Sequence, residues 1–253
     1  MKRGIVLLGV GSAAAGVLDL IYGELEAAHQ PIQAISDHIP GIHVIAWIVG
    51  IWLIAGGIAI QLPRSRRAGA LALAIIYAVF AAFWIPRLWT VPRLYGHSWR
   101  LYVGLVTGPC VDLVPIAGAL IVLGKPRVRY VMAFVTTMFG LEHLASPADV
   151  ATMIPTWMPL SGETWSIVTG ICFVAAGLAF ATGKLDVVAA KLLALMFTVF
   201  TLLSLIPIVI AAPRDHTAWG GNFVNLAVIG SVWLFAQVIQ AAPSTSTTAP
   251  SGA

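Results

Sequence analysis

Long apolar segments constrain the fold of this chain more than any other feature of its sequence. Of its 253 residues, 59% are hydrophobic and only 9% are charged, and the mean hydropathy is +0.94. Soluble domains carry about 25% charged residues, so a soluble fold could not cover its surface with so few polar groups. The composition therefore predicts an integral membrane protein.

Eight segments are apolar over the roughly 20 residues that a transmembrane helix needs. They comprise residues 4–22, 43–61, 68–86, 103–123, 129–145, 164–182, 187–211 and 221–240. The first follows Met1-Lys2-Arg3 as a signal peptide would, but its counterpart in the second half of the chain favours a retained span. Residues 242–253 (APSTSTTAPSGA) have nothing apolar to bury and are predicted to be disordered.

The Lys and Arg residues are unevenly divided between the two ends of these spans. Ten lie at one end and four at the other, the four being Arg87, Arg93, Arg100 and Arg214. The positive-inside rule then places both chain termini in the cytoplasm. All six histidines and most of the ten carboxylates lie at the opposite, outer end. Because the basic residues lie in short loops between spans, they indicate topology, and no nucleic-acid partner is expected.

The chain repeats itself at a nearly constant spacing. Residues 50–59 (GIWLIAGGIA) align with residues 170–179 (GICFVAAGLA), and the span that follows each of them aligns at the same spacing of 120. Near the start of each half, residues 16–19 (GVLD) align with residues 140–143 (GLEH). Apolar composition alone would not place these helix ends in register, so the pattern indicates an internal duplication.

The duplication predicts an all-α integral membrane protein with eight transmembrane helices in two fused four-helix units. The units are residues 1–124 and 125–241, and residues 242–253 form the tail. Because each unit has an even number of spans, the two share one orientation and are related by a parallel internal repeat about the membrane normal. Residues 23–41 and 146–162 are too polar to cross and are predicted to form short amphipathic helices that lie on the outer surface or cap the bundle.

One set of motifs carries a family resemblance. The fifth span ends in Gly140-Leu-Glu142-His143, and it is followed by Pro147, Ile154-Pro155 and Ala175-Ala176-Gly177. This arrangement resembles the DoxX-like superfamily, and since it covers both halves the chain looks like a tandem DoxX-like protein. The resemblance implies a bacterial inner-membrane protein, and some members are quinone-linked subunits of sulfur-oxidising or terminal oxidase systems. Only the Glu142-His143 pair maps to a family position.

Polar residues near the outer ends of the first and fifth spans form the first candidate site. Asp19, Glu142 and His143 lie at equivalent levels there. They could form a paired site between the two halves that binds a quinone headgroup or a metal, or relays protons. Histidine titrates near physiological pH, and a neighbouring carboxylate can orient it. The alternative is that these helix ends simply reach water.

An acid inside the fourth span and two asparagines near the outer end of the eighth span are two further, separate candidates. Asp112 lies about nine residues into its span, near the membrane midplane, where an acid normally faces the bundle interior and is functional. The alternative is a structural acid. Asn222 and Asn225 are i,i+3 neighbours that could bind a headgroup, or could only join one helix to another.

A cluster of histidines and acids between the first two spans is a candidate metal site. His29, His38 and His43 lie there with three carboxylates, and these residue types ligate transition metals. Their spacing matches no zinc signature. A solvated amphipathic helix explains the acids equally well.

Basic residues at the outer end form the last candidate. Arg87 and three further arginines lie there, and they are accompanied at matching places by His97 in the first half and His216 in the second half. They could bind an anion or a lipid headgroup. The alternative is surface charge whose apolar stems cover the helix ends.

These observations leave three functions open. The first is a DoxX-like inner-membrane protein that binds a quinone-type or lipid ligand, or serves as a membrane subunit of a redox complex. The second is a small transporter or channel with a path at the repeat interface past Asp112, and the third is a structural membrane partner without a ligand. A blind cavity that opens towards lipid favours the first, and a water path to both faces favours the second. The absence of a cavity near Asp112 and His143 favours the third.

Overall fold

A computed structural model describes residues 1–26, 29, 40–125 and 128–241 of the chain, and all regular structure in those ranges is helical. The predicted all-α class is therefore confirmed for the part of the chain that is described. The predicted tail and most of the predicted surface helix in residues 23–41, including His38, lie outside the described residues.

Twelve helices, numbered here along the chain, lie within these ranges. They are α1 Lys2–Tyr22, α2 Ile42–Ala59, α3 Arg66–Phe83, α4 Arg87–Tyr95, α5 Trp99–Thr107, α6 Cys110–Val122, α7 Arg129–Ala145, α8 Pro147–Ala151, α9 Gly162–Thr182, α10 Asp186–Phe200, α11 Ile206–Ala211 and α12 His216–Ala241.

Seven helical segments are long and apolar enough to cross a membrane. Three of them join adjacent helices, namely α3 with α4, α5 with α6, and α10 with α11. The remaining predicted span is the helix α7, which has 17 residues and so lies at the short end of the range for a spanning helix. The predicted surface helix after it is much shorter than expected, because only the five residues of α8 are helical.

Prolines interrupt two of the predicted spans. The fourth span divides at Gly108 and Pro109 into α5 and α6. The seventh contains a π-helical turn, Thr201–Leu205, just before Pro207 in α11. Because proline has no amide hydrogen and crowds the preceding turn, it commonly breaks or widens a helix. The sequence analysis did not anticipate α4, which follows Pro86.

Glycines bring the first two helices of each half into close contact. A Cβ atom on Gly50 would lie 2.6 Å from the carbonyl oxygen of Gly16, where α2 crosses α1. A Cβ atom on Gly140 would lie 2.7 Å from the carbonyl oxygen of Gly170, where α7 crosses α9. Real Cβ atoms do not approach so closely, so these backbone contacts require glycine, as at small-residue crossings in membrane bundles.

The fourth helix of each predicted half packs on the first helix of the other half. The long helix α12 packs on α1, and α5 and α6 pack on α7. The helices α6 and α12 also cross each other, at a point where a Cβ atom on Gly118 would lie 2.7 Å from that of Ser231. This arrangement leaves two spaces, one enclosed by α1, α2, α3 and α6 and one enclosed by α7, α9, α10 and α12.

Candidate functional site

The space in the second half contains an apolar cavity of about 490 Å³. This volume is typical of small-molecule sites, which are mostly apolar with a few convergent polar groups. The segment after α7 covers one end of the cavity with Met153, Ile154 and Met158. Cys172 on α9 and Leu195 on α10 both line the cavity and are exposed, so the cavity opens on the lateral face of the bundle between these two helices.

Four phenylalanine rings line the cavity: Phe139, Phe173, Phe197 and Phe200. The rings contact one another, with 5.6 Å between the centroids of Phe173 and Phe197 and 5.8 Å between those of Phe139 and Phe173. Aromatic pairs at these separations are favourable beyond their buried area. The rings form one continuous wall against which a ligand can pack.

The hydrogen bonds of His143 determine which of its ring nitrogens is free. The Nδ1 atom lies 2.8 Å from the hydroxyl of Thr169, and that hydroxyl donates to the carbonyl oxygen of Trp165, also at 2.8 Å. Because the Thr169 hydrogen is already used, Nδ1 must be the donor to Thr169. In the neutral ring Nε2 is then an acceptor, and it has no hydrogen-bond partner among the described residues.

The side-chain amide of Asn225 is also oriented by its partners. Its Nδ2 donates to the carbonyl oxygen of Phe197 at 3.1 Å and to the hydroxyl of Thr201 at 2.5 Å. Both amide hydrogens are therefore used, and Oδ1 remains an acceptor with no partner in the described ranges. The amide of Asn222 similarly donates to the carbonyl oxygen of Leu205 at 3.0 Å. Both asparagines thus join α12 to the helix around the π-helical turn, and Asn225 also lines the cavity.

The corresponding space in the first half is filled by the chain itself. His29, which follows α1, is fully buried and stacks on Phe80 with 3.9 Å between ring centroids. The edge of Tyr77 faces the same imidazole at 5.9 Å. The Nε2 atom of His29 lies 3.6 Å from Oδ1 of Asp112, so the predicted interior position of Asp112 is confirmed.

The contact between His29 and Asp112 is not a hydrogen bond, because 3.6 Å is too long for one. Neither imidazole nitrogen and neither carboxylate oxygen of the two residues has a hydrogen-bond partner within the described part of the chain. Burial lowers the pKa of His29 to about 3, and the nearby His216 lowers it further, so the imidazole is neutral and the contact is not an ion pair. The ring of His216 itself stacks on Tyr22 at 4.6 Å.

Asp19 and Glu26 lie beside this filled space. Both are buried, and Oδ1 of Asp19 accepts a hydrogen bond from the backbone N–H of Glu26 at 3.2 Å. The hydroxyl of Tyr77 lies 3.0 Å from that of Ser12. The first half therefore holds a buried polar cluster where the second half has a cavity.

The sequence predicts one paired site of Asp19 with Glu142 and His143, whereas the structure holds Asp19 and these two residues at separate places. No hydrogen bond or ion pair joins Asp19 to either residue in the ranges that the structure describes. The two places nevertheless have similar surroundings, because each side chain lies against a glycine of the next long helix. A Cβ atom on Gly50 would lie 3.2 Å from that of Asp19, and one on Gly170 would lie 3.0 Å from that of His143. Glu142 is half-buried and lies towards α5, where a Cβ atom on Gly104 would be 3.9 Å from its Oε1.

The predicted metal ligands lie in different surroundings. His29 is fully buried, whereas His43 is exposed and its Nδ1 lies 2.6 Å from the carbonyl oxygen of Gly23. The third residue, His38, lies outside the described residues. Within the described ranges, no group of three or more His, Cys, Asp or Glu residues could hold a metal ion.

The outer basic residues do not share a site in the described structure. The guanidinium of Arg87 lies over the ring of Trp84, 3.9 Å from its centroid. His97 is exposed, and its Nδ1 lies 2.8 Å from the hydroxyl of Tyr102. With His216 stacked on Tyr22, each of the three residues contacts a different aromatic ring.

A second pocket, of about 510 Å³, lies on the sides of α2 and α3 that face away from the bundle. Ala and Ile side chains and glycines line it, together with Trp52, whose indole N–H already donates to the carbonyl oxygen of Ala72 at 2.9 Å. It therefore offers no free polar group that could orient a ligand, and an acyl chain would suffice to cover it.

The sequence analysis missed the equivalence of Asp112 and Asn225. The two lie in Val111-Asp112-Leu113 and Val224-Asn225-Leu226, which align at a spacing of 113. The same spacing relates Gly118 to Ser231, the pair that meets where α6 crosses α12. The sequence contains this alignment, but it is hard to recognise, because prolines flank Asp112 in the first half and because the second half has an amide in place of the acid.

A family model matches part of the chain. It is described as Domain of unknown function (DUF8561) and matches residues 132–241. No curated protein and no solved structure matches. The matched residues include every residue that lines the second-half cavity, and they exclude His29 and Asp112.

Proposed function

We propose that this protein crosses a membrane and binds an apolar ligand with a small polar headgroup, of the quinone or lipid class, in the cavity beside His143. The observation that carries the proposal is the cavity itself. Its wall is aromatic and aliphatic, its opening between α9 and α10 faces outward, and two residues with unused acceptors, His143 and Asn225, line it.

The headgroup must supply most of the selectivity. Lipid tails are as apolar as the cavity wall, so moving an alkyl chain from the bilayer into the cavity gains little free energy. Polar groups that lack partners in a low-dielectric site favour a ligand that can satisfy them. His143 and Asn225 therefore decide which ligand binds, and the phenylalanine rings determine its shape.

The proposed topology has eight spans with both termini in the cytoplasm of a bacterial cell and the chain in its inner membrane. Seven apolar helices of sufficient length support it, and α7 is within the range of about 17–25 residues for a span. The ten-to-four division of Lys and Arg supports the orientation. Reporter fusions at Ala253 and at Gly162 are expected to report opposite sides, and reports from the same side would refute the eight-span map.

The proposed architecture is a tandem duplication, with units 1–124 and 125–241. It is supported by the glycine crossings, since Gly16 and Gly140 differ by 124 residues and their partners Gly50 and Gly170 differ by 120. It is also supported by the exchange of fourth helices between halves. The DoxX-like resemblance, and with it a role as a membrane subunit of a quinone-linked redox complex, belongs to the same proposal, in which His143 is the family position at the cavity.

A transport path past Asp112 is the second candidate. One observation favours it: the carboxylate of Asp112 and the imidazole of His29 are fully buried and have no hydrogen-bond partner in the described part of the chain. Groups of this kind inside a membrane bundle often mark proton or ion paths.

The proposed function is tested by native mass spectrometry of the detergent-purified protein, with extraction and identification of co-purified small molecules. Cys172→Trp places at the cavity opening the residue that stands at the equivalent position 52. Ile171→Trp adds the same ring to the neighbouring exposed position, which does not line the cavity. We expect a co-purified amphipathic molecule in the wild-type protein and the Ile171 variant and its loss from the Cys172 variant. Equal occupancy in all three, or none in the wild type, would refute the proposal.

A further inference from the structure

The two halves of the bundle present the same ring-binding wall, and only one of the two walls is covered. At the spacing of 120, Phe80 corresponds to Phe200 and Tyr77 corresponds to Phe197. In the first half the imidazole of His29 lies flat on Phe80, with 10° between the ring planes. In the second half Phe200 and Phe197 line the open cavity.

Two further positions near each space also correspond. Asp112 faces the imidazole from α6, and its equivalent on α12 is Asn225. Asp19 and His143 lie against equivalent glycines of α2 and α9. The imidazole of His29 therefore contacts Phe80, Tyr77 and Asp112, and the counterparts of these three positions line the second space.

The connections after the first helix of each half explain why one space is filled. In the first half the chain turns inward after Tyr22, so that Leu25, Glu26 and His29 are buried. In the second half Met153 is half exposed and the connection lies across the end of the cavity. The place that a planar ring occupies in the first half is left open in the second.

The polar atoms that His143 and Asn225 leave unused at the cavity are both acceptors, whereas the hydroxyl of Ser204, which also lines the cavity, can donate or accept. His143 uses Nδ1–H on Thr169, which leaves the lone pair of Nε2. Asn225 uses both amide hydrogens on Phe197 and Thr201, which leaves Oδ1. A ligand that satisfies these two residues must donate hydrogen bonds.

We infer that the cavity binds a planar aromatic headgroup that stacks on Phe200 and donates a hydrogen bond from a phenolic hydroxyl, as a phenol or the hydroquinone form of a quinone does. The alkyl tail leaves the cavity past Cys172 and Leu195. The inference rests on the proposed function, because it specifies the headgroup of the ligand that the cavity is proposed to bind.

Three probes with the same ten-carbon tail test the headgroup. They are 4-decylphenol, which has a ring and a donor, 4-decylanisole, which has the ring without the donor, and decanol, which has a donor without the ring. Binding to the purified protein is followed by the change in the fluorescence of Trp165, which lines the cavity, with Trp165→Phe as the control for the signal. We expect 4-decylphenol to bind about two- to tenfold more tightly than either of the other probes.

Paired variants locate the ring. Phe200→Leu removes the stacking surface, whereas Phe200→Tyr keeps it. The matched control is Phe80→Leu, which removes the corresponding ring from the filled space. We expect Phe200→Leu to weaken 4-decylphenol about two- to tenfold without weakening decanol, and we expect Phe200→Tyr and Phe80→Leu to retain wild-type affinity.

The outcomes separate the inference from the proposed function. If none of the three probes binds, the cavity is not a ligand site and both fail. If all three bind equally, or if 4-decylanisole matches 4-decylphenol, the proposed function stands and the phenolic headgroup is refuted. The comparison of probes uses the wild-type protein, so it decides the inference even if a Phe200 variant does not fold.

Discussion

The connection after the first helix enters the bundle in one half of this protein and stays outside it in the other. In the first half His29 fills the space beside Phe80 and is completely buried. In the second half the equivalent space beside Phe200 is a cavity of about 490 Å³. Similar helix crossings thus enclose a packed core in one half and an open cavity in the other.

The difference has an energetic meaning. Protein interiors are close-packed, and atoms that line an empty space lose the dispersion contacts that neighbours would supply. The filled half therefore gains packing from the imidazole, at the cost of burying His29 and Asp112 without hydrogen bonds. The open half gives up that packing, which a ligand can restore. We expect stability to depend on the first space and binding to depend on the second.

Removal of the buried ring should have the largest effect. His29→Ala is expected to lower the free energy of unfolding by about 2–4 kcal/mol, because it leaves a cavity beside Phe80. His143→Ala should cost about 1 kcal/mol, since it removes one hydrogen bond at a site that is already open. Thermal unfolding in detergent measures both, with exposed His97→Ala as a control within about 0.5 kcal/mol of wild type. Equal losses for His29 and His143 would contradict the comparison.

Acid should destabilise the filled half. The pKa of His29 is lowered from 6.5 to about 3 by burial, so between these values the unfolded chain binds a proton that the folded chain excludes. The stability that this group contributes is full above about pH 6.5 and falls as the pH falls. At pH 5 the loss is about 2 kcal/mol.

The pH effect is measured as the difference in unfolding temperature between wild type and His29→Gln at pH 7 and at pH 5. The wild type should lose stability relative to the variant on acidification, whereas His97→Gln should parallel the wild type. A difference that does not change with pH would show that His29 is not excluded from water in the folded protein.

The smallest effect is expected from Asp112→Asn, which gives the first half the residue that the second half has at position 225. The change removes no hydrogen bond found in the described structure, so stability should change by less than about 1 kcal/mol, and binding of 4-decylphenol should not change. Fluorescence titration checks the binding. If the variant instead folds but loses ligand binding or transport, the site at Asp112 is the functional one.

Much of the fold could be predicted from the sequence. The apolar segments located every long helix to within a few residues, and the fifth span was predicted with the bounds that α7 has. The breaks at Pro109 and Pro207 and the helix α4 were not predicted, because prolines within apolar runs can either bend a helix or end it.

The site was predicted less completely. The interior position of Asp112 and the level of Asp19 and His143 follow from their places along the helices. The inward turn of His29 does not, because His29 lies in a polar segment that is typical of a surface helix, and only tertiary packing on Phe80 buries it. The cavity likewise has no signal in the local sequence, since it exists because the segment after α7 does not enter the bundle.

The central claim is that Phe80 and Phe200 stand on equivalent walls, one covered by the chain and one open to a ligand. Single cysteines at positions 80 and 200, each in a Cys110→Ala, Cys172→Ala background, test it directly by their rates of reaction with N-ethylmaleimide in the folded protein. The account predicts that position 200 reacts and is protected by 4-decylphenol, while position 80 reacts only after unfolding. Equal rates at the two positions, or faster reaction at position 80, would contradict the claim.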